Sequence, residues 1–406
     1  MIDVDRVRND FPLLQQQVYG KPLIYLDNAA TTQKPVNVLD RVSEFYRKEN
    51  SNIHRGVHLL SEQASEAYEN ARVAVQHFLK AGHAHEILFT RGTTESINLV
   101  AYSFGQAFVG AGDEIIISVM EHHSNIIPWQ LLCERTGATL KVIPLTESLE
   151  LDLDAFEDLI SEKTKLVALT WVSNVTGVIN PVRQVIETAH EHDVPVLIDA
   201  AQAIQHMPVD VTSLDCDFLA FSGHKIYAET GIGVLYGKEK WLDRMPPWQG
   251  GGGMIEKVTL EKTTYASLPL KFEAGTTNIG ATISLHAALE YVQSLGITEI
   301  ASYEQKLLRY AVDGLGRCEG LNVYADVPSR GGAVSLSLDG IHPYDAGAVL
   351  DKLGIAVRTG TMCAEPLMRH LGVKGALRAS IVFYNTRWEI DRLIEAIPRV
   401  QALLGR

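Results

Sequence analysis

From about residue 86 onward, short apolar runs alternate with amphipathic stretches of helical period. The runs at 86–90, 115–118, 140–145, 166–171 and 196–198 have the length and composition of buried strands, and a helical segment separates each from the next. Helical periodicity over 36–47 and 61–80 precedes this series. A further apolar run, 217–221, breaks abruptly into Ser222-Gly223-His224-Lys225, and 231–236 reads as a turn and a return strand. Strands alternating with helices predict an α/β fold: a large domain with a mainly parallel sheet covered by helices. Beyond it lie a long helical region (283–315), strand-like runs at 334–338 and 376–383, and an amphipathic helix over 389–404. The pattern predicts a large domain over 20–280 and a smaller α+β domain over 281–406, with 1–19 packing on the small one.

Open parallel sheets bind ligands beyond the carboxyl ends of their strands. Thr93 and Thr94, His122, Asn174, Asp199 and Gln202, and Ser222 through Lys225 all fall just after strand-like runs, so the topology collects them at one edge. Lys225 stands out among them. A lysine at the end of a buried strand loses hydration, its pKa falls, and the neutral amine becomes a nucleophile able to form a Schiff base. The alternative is a lysine that extends to solvent from a strand end.

An aldehyde cofactor of the pyridoxal type would also need an acid for its ring nitrogen, a flat partner for its ring and donors for its phosphate. Asp199 suits the first role, although it could equally be a helix cap before Ala200-Ala201-Gln202. His122 could lie on the ring or be an ordinary loop histidine. Gly92-Thr93-Thr94 at a helix start offers amides and hydroxyls to a phosphate, or simple capping. Ser222 and His224 could add donors beside the lysine.

Composition narrows the setting. The 406 residues carry a net charge of −13, which argues against nucleic acid and anionic membrane surfaces as partners. The acidic start has no signal-peptide core and no apolar run reaches a membrane span, so a cytoplasmic protein is expected. The four cysteines (133, 216, 318, 363) are far apart, which disfavours a disulfide framework or a structural metal site. Three look like small apolar residues. Cys363 instead sits in the small, polar, glycine-containing stretch 358–364, a poor place for a structural cysteine.

Taken together, these stretches resemble a known family. Asp199-Ala200-Ala201-Gln202 followed by Ser222-Gly223-His224-Lys225 resembles the pyridoxal-phosphate site of the class V aminotransferase group. Tyr25-Leu26-Asp27-Asn28-Ala29-Ala30, Arg91-Gly92-Thr93-Thr94-Glu95, Glu121-His122-His123 and Phe272-Glu273-Ala274-Gly275-Thr276 narrow the resemblance to cysteine desulfurases. The compact Arg358-Thr359-Gly360-Thr361-Met362-Cys363-Ala364 resembles their Suf-type (group II) branch.

The resemblance implies the fold of fold-type I pyridoxal 5'-phosphate enzymes. It implies that Lys225 is the Schiff-base lysine and proton shuttle, with Asp199 on the pyridine nitrogen, Gln202 on the ring hydroxyl and His122 on the ring face. Thr93, Thr94, Ser222 and His224 would hold the phosphate, joined by Thr276 from a second subunit of a homodimer. Asn174 and Arg378 would bind the substrate carboxylate, while Arg55 and Arg358 would line the entrance. Cys363 would take sulfur from L-cysteine as a persulfide, releasing L-alanine, and pass it to an acceptor protein for iron-sulfur cluster assembly. A selenocysteine lyase and a non-catalytic sulfur-handling scaffold are the alternatives.

Two positions depart from the family pattern. Ala228-Glu229 stands where Gly-Pro is usual after His-Lys-x-Tyr, and Met362 stands where a histidine often precedes the cysteine. The first puts loop geometry and phosphate affinity in question. The second removes whatever tuning an imidazole would give.

Overall fold

The computed structural model describes residues 2–405 apart from 326 and 329. Seven strands form the central sheet: β1 (Ile87–Thr90), β2 (Glu114–Ser118), β3 (Thr139–Ile143), β4 (Thr164–Thr170), β5 (Val196–Asp199), β6 (Phe218–Ser222) and β7 (Gly233–Gly237). Their spatial order is β1-β7-β6-β5-β4-β2-β3. Strands β2 to β6 pair in parallel; only β7 runs against its neighbours. Because β1 is antiparallel to β7, it points the same way as β6, and its carboxyl end joins the same edge. Strands β5, β6 and β7 are buried along their whole length, as sheets covered on both faces require. The edge strand β3 is less covered, with Thr139 and Val142 exposed and only Ile143 buried.

A second, four-stranded antiparallel sheet has the order β8 (Leu321–Val323), β9 (Ala333–Leu338), β11 (Ala376–Ser380), β10 (Arg358–Gly360). Helices Ile297–Leu315, Pro343–Lys352 and Arg387–Leu404 supply the apolar side chains of its core. The last of these starts with a reciprocal cap between Thr386 and Glu389, and Glu389 also binds Arg8 at 2.9 Å.

Helix Ile279–Leu295 lies in the core of the large sheet, and the next helix, Ile297–Leu315, contributes Ile300 to that core and Leu307, Leu308, Ala311 and Leu315 to the core of the small sheet. The N-terminal segment bridges the two cores. Phe11 packs on Tyr227, Tyr291, Phe383 and Tyr384, whereas Ile24–Tyr25 pairs in parallel with Ile355–Ala356. Asp27 bridges to Ser380 on β11, which ties residues just before the Ala29-Ala30 turn to the small sheet. Among the described residues, no helix is long and apolar enough to cross a membrane.

Candidate active site

A cavity of about 290 Å³ opens where the carboxyl ends of the central strands face the small sheet. Thr93, Thr94, His122, Asn174, Asp199, Gln202, Ser222, His224, Lys225, Arg358, Cys363 and Arg378 all line it. Arg55 and Thr276 do not. Arg55 is exposed on the loop before helix Leu59–Leu79, and Thr276 lines a separate cavity of about 480 Å³ with Arg91, Trp248 and Glu273.

The floor comes from the large sheet. Lys225 ends the short turn that follows β6, and the carbonyl of the preceding His224 accepts from Thr31 Oγ1 (3.2 Å), Thr32 Oγ1 (3.1 Å), Thr32 N (3.1 Å) and Lys34 Nζ (3.1 Å). The Ala-Ala-Thr-Thr stretch therefore does two things: Ala29 and Ala30 leave room on the cavity wall, and the threonines anchor the lysine turn. Burial lowers the Lys225 ammonium to about 8; Asp199 opposes that shift and Arg378 adds to it. Asp199, at the end of β5, is itself pushed upward by burial, with Lys225 pulling it back. Ala201 N donates to its Oδ1 at 2.9 Å, which leaves the other carboxyl oxygen for a cationic partner in the cavity. Residues 201–206 form turns and not a helix, so Asp199 caps a turn while it lines the cavity.

Burial, then the charge of Lys225, lowers His122 and His224 to about 4 each, so both imidazoles are neutral at physiological pH. His122 follows a buried acid. Glu121 accepts from Ser118 Oγ (2.5 Å) and Asn125 Nδ2 (2.6 Å), and burial raises it to about 8, which keeps it a neutral carboxylic acid at pH 7. Nothing in the sequence pattern distinguished Glu121 from an exposed loop acid, because its burial depends on Asn125 and Trp129 folding over it.

At the β1 end, Thr93 N donates to Ser222 Oγ at 2.8 Å and the Thr93 and Ser222 hydroxyls lie 2.7 Å apart. This junction needs glycine on both sides: a Cβ on Gly233 would lie 2.4 Å from Gly92 Cα. Thr93 opens a 16-residue helix with no side-chain cap from Gly92; its own amide is spent on Ser222, and the amides that follow it in the first turn remain available to an anion. Thr94 Oγ1 meets Ser124 Oγ at 2.7 Å; Ser124 also lines the cavity and had no signal in the sequence reading.

The opposite wall comes from the small sheet. Arg378 on β11 is buried, donates to Asn174 O at 2.7 Å and lies 3.5 Å from Asp27. Arg358 on β10 binds the same Asp27 at 2.6 Å. Two guanidinium groups share one carboxylate, so one positive charge is left over at the cavity. Burial lowers Arg378 to about 10, and its Nε has no hydrogen-bond partner among the described residues. A buried, unpartnered donor beside an uncompensated charge has the chemistry to take a carboxylate. Asn174 spends its amide inside the chain, donating to Met362 O at 2.8 Å.

Cys363 is exposed, whereas Cys216 is buried and Cys133 and Cys318 are intermediate. Met362 and Cys363 have φ of 53° and 55°, consecutive left-handed residues that are not glycine. Such a conformation costs about 1–3 kcal/mol per residue and persists only where the surroundings impose it. Met362 is part of the reason. Its side chain is buried in a small apolar cluster with Val175, Ala364, Leu367, Met368 and Ala376, so the residue standing where the family often has histidine is a packing anchor. At the other departure, the left-handed angle falls on Tyr227 (φ 69°), and Ala228 takes an ordinary angle while its N–H donates to Gly223 O at 3.0 Å. Glu229 does not line the cavity; its charge acts on Lys34, which burial lowers to about 8.

The chain matches the aminotransferase class-V family over residues 24–393. It is 53% identical over 403 residues to a cysteine desulfurase of Escherichia coli O127:H6, covering 99% of each chain. The chain is a member of the class V aminotransferase family and, within it, of the cysteine desulfurases. Its backbone superposes on the cysteine desulfurase CsdA from Escherichia coli, in an S-sulfonic acid form, with TM-score 0.93 at 39% identity over the full length of both. An apo cysteine desulfurase from Thermococcus onnurineus NA1 gives the same TM-score and identity, covering 100% of this chain and 98% of that one. As in other cysteine desulfurases, the fold is the α/β arrangement that the strand-helix alternation predicted.

Proposed function

We propose that this desulfurase is of the Suf type, acts in the cytoplasm as a homodimer, and uses pyridoxal 5'-phosphate to move sulfur from L-cysteine to Cys363. One observation carries the reading: a single cavity unites the desolvated amine of Lys225, the buried carboxyl of Asp199 and the exposed thiol of Cys363.

The donor set suits the cofactor: an amine for its aldehyde, a carboxylate for its ring nitrogen, and Thr93, Thr94, Ser222 and His224 for its phosphate. Gln202 would reach its hydroxyl and His122 its ring face. When bound, it supplies an electron-poor ring that takes up the electron pair released at the substrate Cα. Arg378, with Arg358 and Asn174 beside it, binds and orients the substrate carboxylate. With an amine lowered to about 8, Lys225 Nζ can both take the Cα proton and return one. Cys363 Sγ, as thiolate, attacks the substrate sulfur: an S–S bond forms as the substrate C–S bond breaks, and the electrons of the broken bond stay on carbon and are protonated. L-cysteine and the Cys363 thiol thus become L-alanine and a Cys363 persulfide. The same residues would serve L-selenocysteine, whose selenium leaves more readily.

Exposure of Cys363 supports hand-over of the sulfur to an acceptor protein for iron-sulfur cluster assembly. Thr276 and Arg55, both outside the cavity of their own chain, would complete the site of a second copy. Mass spectrometry after adding L-cysteine tests the reading: one extra sulfur on Cys363 is expected, and its absence alongside full alanine release would overturn it.

A further inference from the structure

The loop that carries Cys363 is gripped by two residues that no step above uses. His123 N–H donates to Cys363 O at 2.8 Å, and the His123 ring reaches past the cysteine to Glu365. There Nε2 contacts the Glu365 carboxylate and lies 3.3 Å from the Glu365 backbone N–H. Thr361 Oγ1 donates to the other side of the same carboxylate, Oε1, at 3.2 Å. The contacts of His123 therefore fall on Cys363 and on Glu365 beyond it, the Glu365 carboxylate reaches back to Thr361 on the other side of the strained pair Met362-Cys363, and Asn174 holds Met362 O from the large sheet. His123 belongs to the turn after β2 that also presents His122, so one turn lines the cavity and restrains the loop above it.

The His123–Glu365 pair is too exposed, at 30% and 50%, to matter much to the stability of the fold. Its consequence is local. A loop bearing two left-handed residues relaxes unless several contacts oppose it, and without these two the thiol would be free to swing from the cavity wall into solvent.

We propose that His123 and Glu365 are positioning residues for sulfur transfer: together they clamp the 361–365 loop so that Cys363 Sγ stays at the cavity wall. Neither touches substrate. The proposal rests on Cys363 being the sulfur acceptor.

The test combines thiol labelling with kinetics on the protein loaded with pyridoxal 5'-phosphate. In Glu365→Ala and in His123→Ala, iodoacetamide should modify Cys363 about threefold faster or more, and kcat for alanine release should fall about tenfold with KM for L-cysteine unchanged. Glu365→Gln keeps a side-chain acceptor for the ring and should restore both values. The double variant should be no worse than His123→Ala alone, because the two act as one unit. Glu365 is half-exposed, so its variants fold. Wild-type labelling in Glu365→Ala, or losses that multiply in the double variant, would overturn the clamp. Labelling reads the loop whether or not desulfuration occurs, so a wild-type protein that labels normally yet forms no persulfide overturns the acceptor role of Cys363 and not the clamp.

Discussion

The two walls of the cavity hold their reactive groups by opposite means. Lys225 stands on a buried strand end, its turn fixed by four donors to one carbonyl, and its reactivity comes from desolvation. Cys363 stands on an exposed loop with strained backbone angles, held by a few contacts at its rim. The contrast fits the roles proposed for the two residues. An amine that shuttles a proton within a closed site benefits from rigidity and low polarity. A thiol that takes sulfur inside and gives it away outside must be reachable from solvent.

The sharpest way to break the comparison is to remove each group in turn. Lys225→Ala should lower alanine release by about 10⁴-fold for both L-cysteine and L-selenocysteine. Cys363→Ala should lower turnover of L-cysteine by about 10²-fold or more, leave pyridoxal phosphate binding intact, and spare much of the turnover of L-selenocysteine. Full cysteine turnover in that variant would remove the thiol from the reaction, as measured by alanine release. Asp199→Asn, which keeps the shape of the floor but removes its charge, should cost about 10²-fold in kcat while Cys363 labels as in wild type.

Acidity separates the walls further. In the apo protein the Lys225 pKa of about 8 means that the neutral amine rises from about one tenth at pH 7 to about nine tenths at pH 9. The rate of pyridoxal phosphate uptake, followed by visible absorbance, should climb over that range; a rise centred near pH 10 would mean that the amine is not desolvated. His122 is held low, at about 4, so the unfolded chain binds its proton first as pH falls. Stability should be lost from about pH 6.5 down toward 4, and His122→Gln should flatten that part of a thermal-melt series. The smallest expected effect lies on the other wall: Met362→Ala should cost about 2 kcal/mol of stability, read from denaturant melts, and loosen the cysteine loop.

Much of this was legible in the chain itself. Apolar runs such as 166–171 and 196–198 mark buried parallel strands because a sheet covered on both faces admits few polar residues. The rule that ligands bind beyond strand ends then gathers Thr93, His122, Asp199 and Lys225 at one edge, before any coordinates. Local pattern carried less about the small sheet. Arg378 reads as one polar residue in an apolar strand; its role depends on Asp27, 351 positions away.

The sequence by itself determined the strand-helix alternation and the sheet edge at which Thr93, His122, Asp199 and Lys225 gather, since these depend on periodicity and residue type within short windows. Only the tertiary structure decided that Glu121 is a buried neutral acid, that Met362 is an anchor, that Arg358 and Arg378 share one carboxylate, and that His123 reaches Glu365. Each of these depends on which distant side chain removes water or supplies a partner. Desolvation and pairing are properties of neighbours in space.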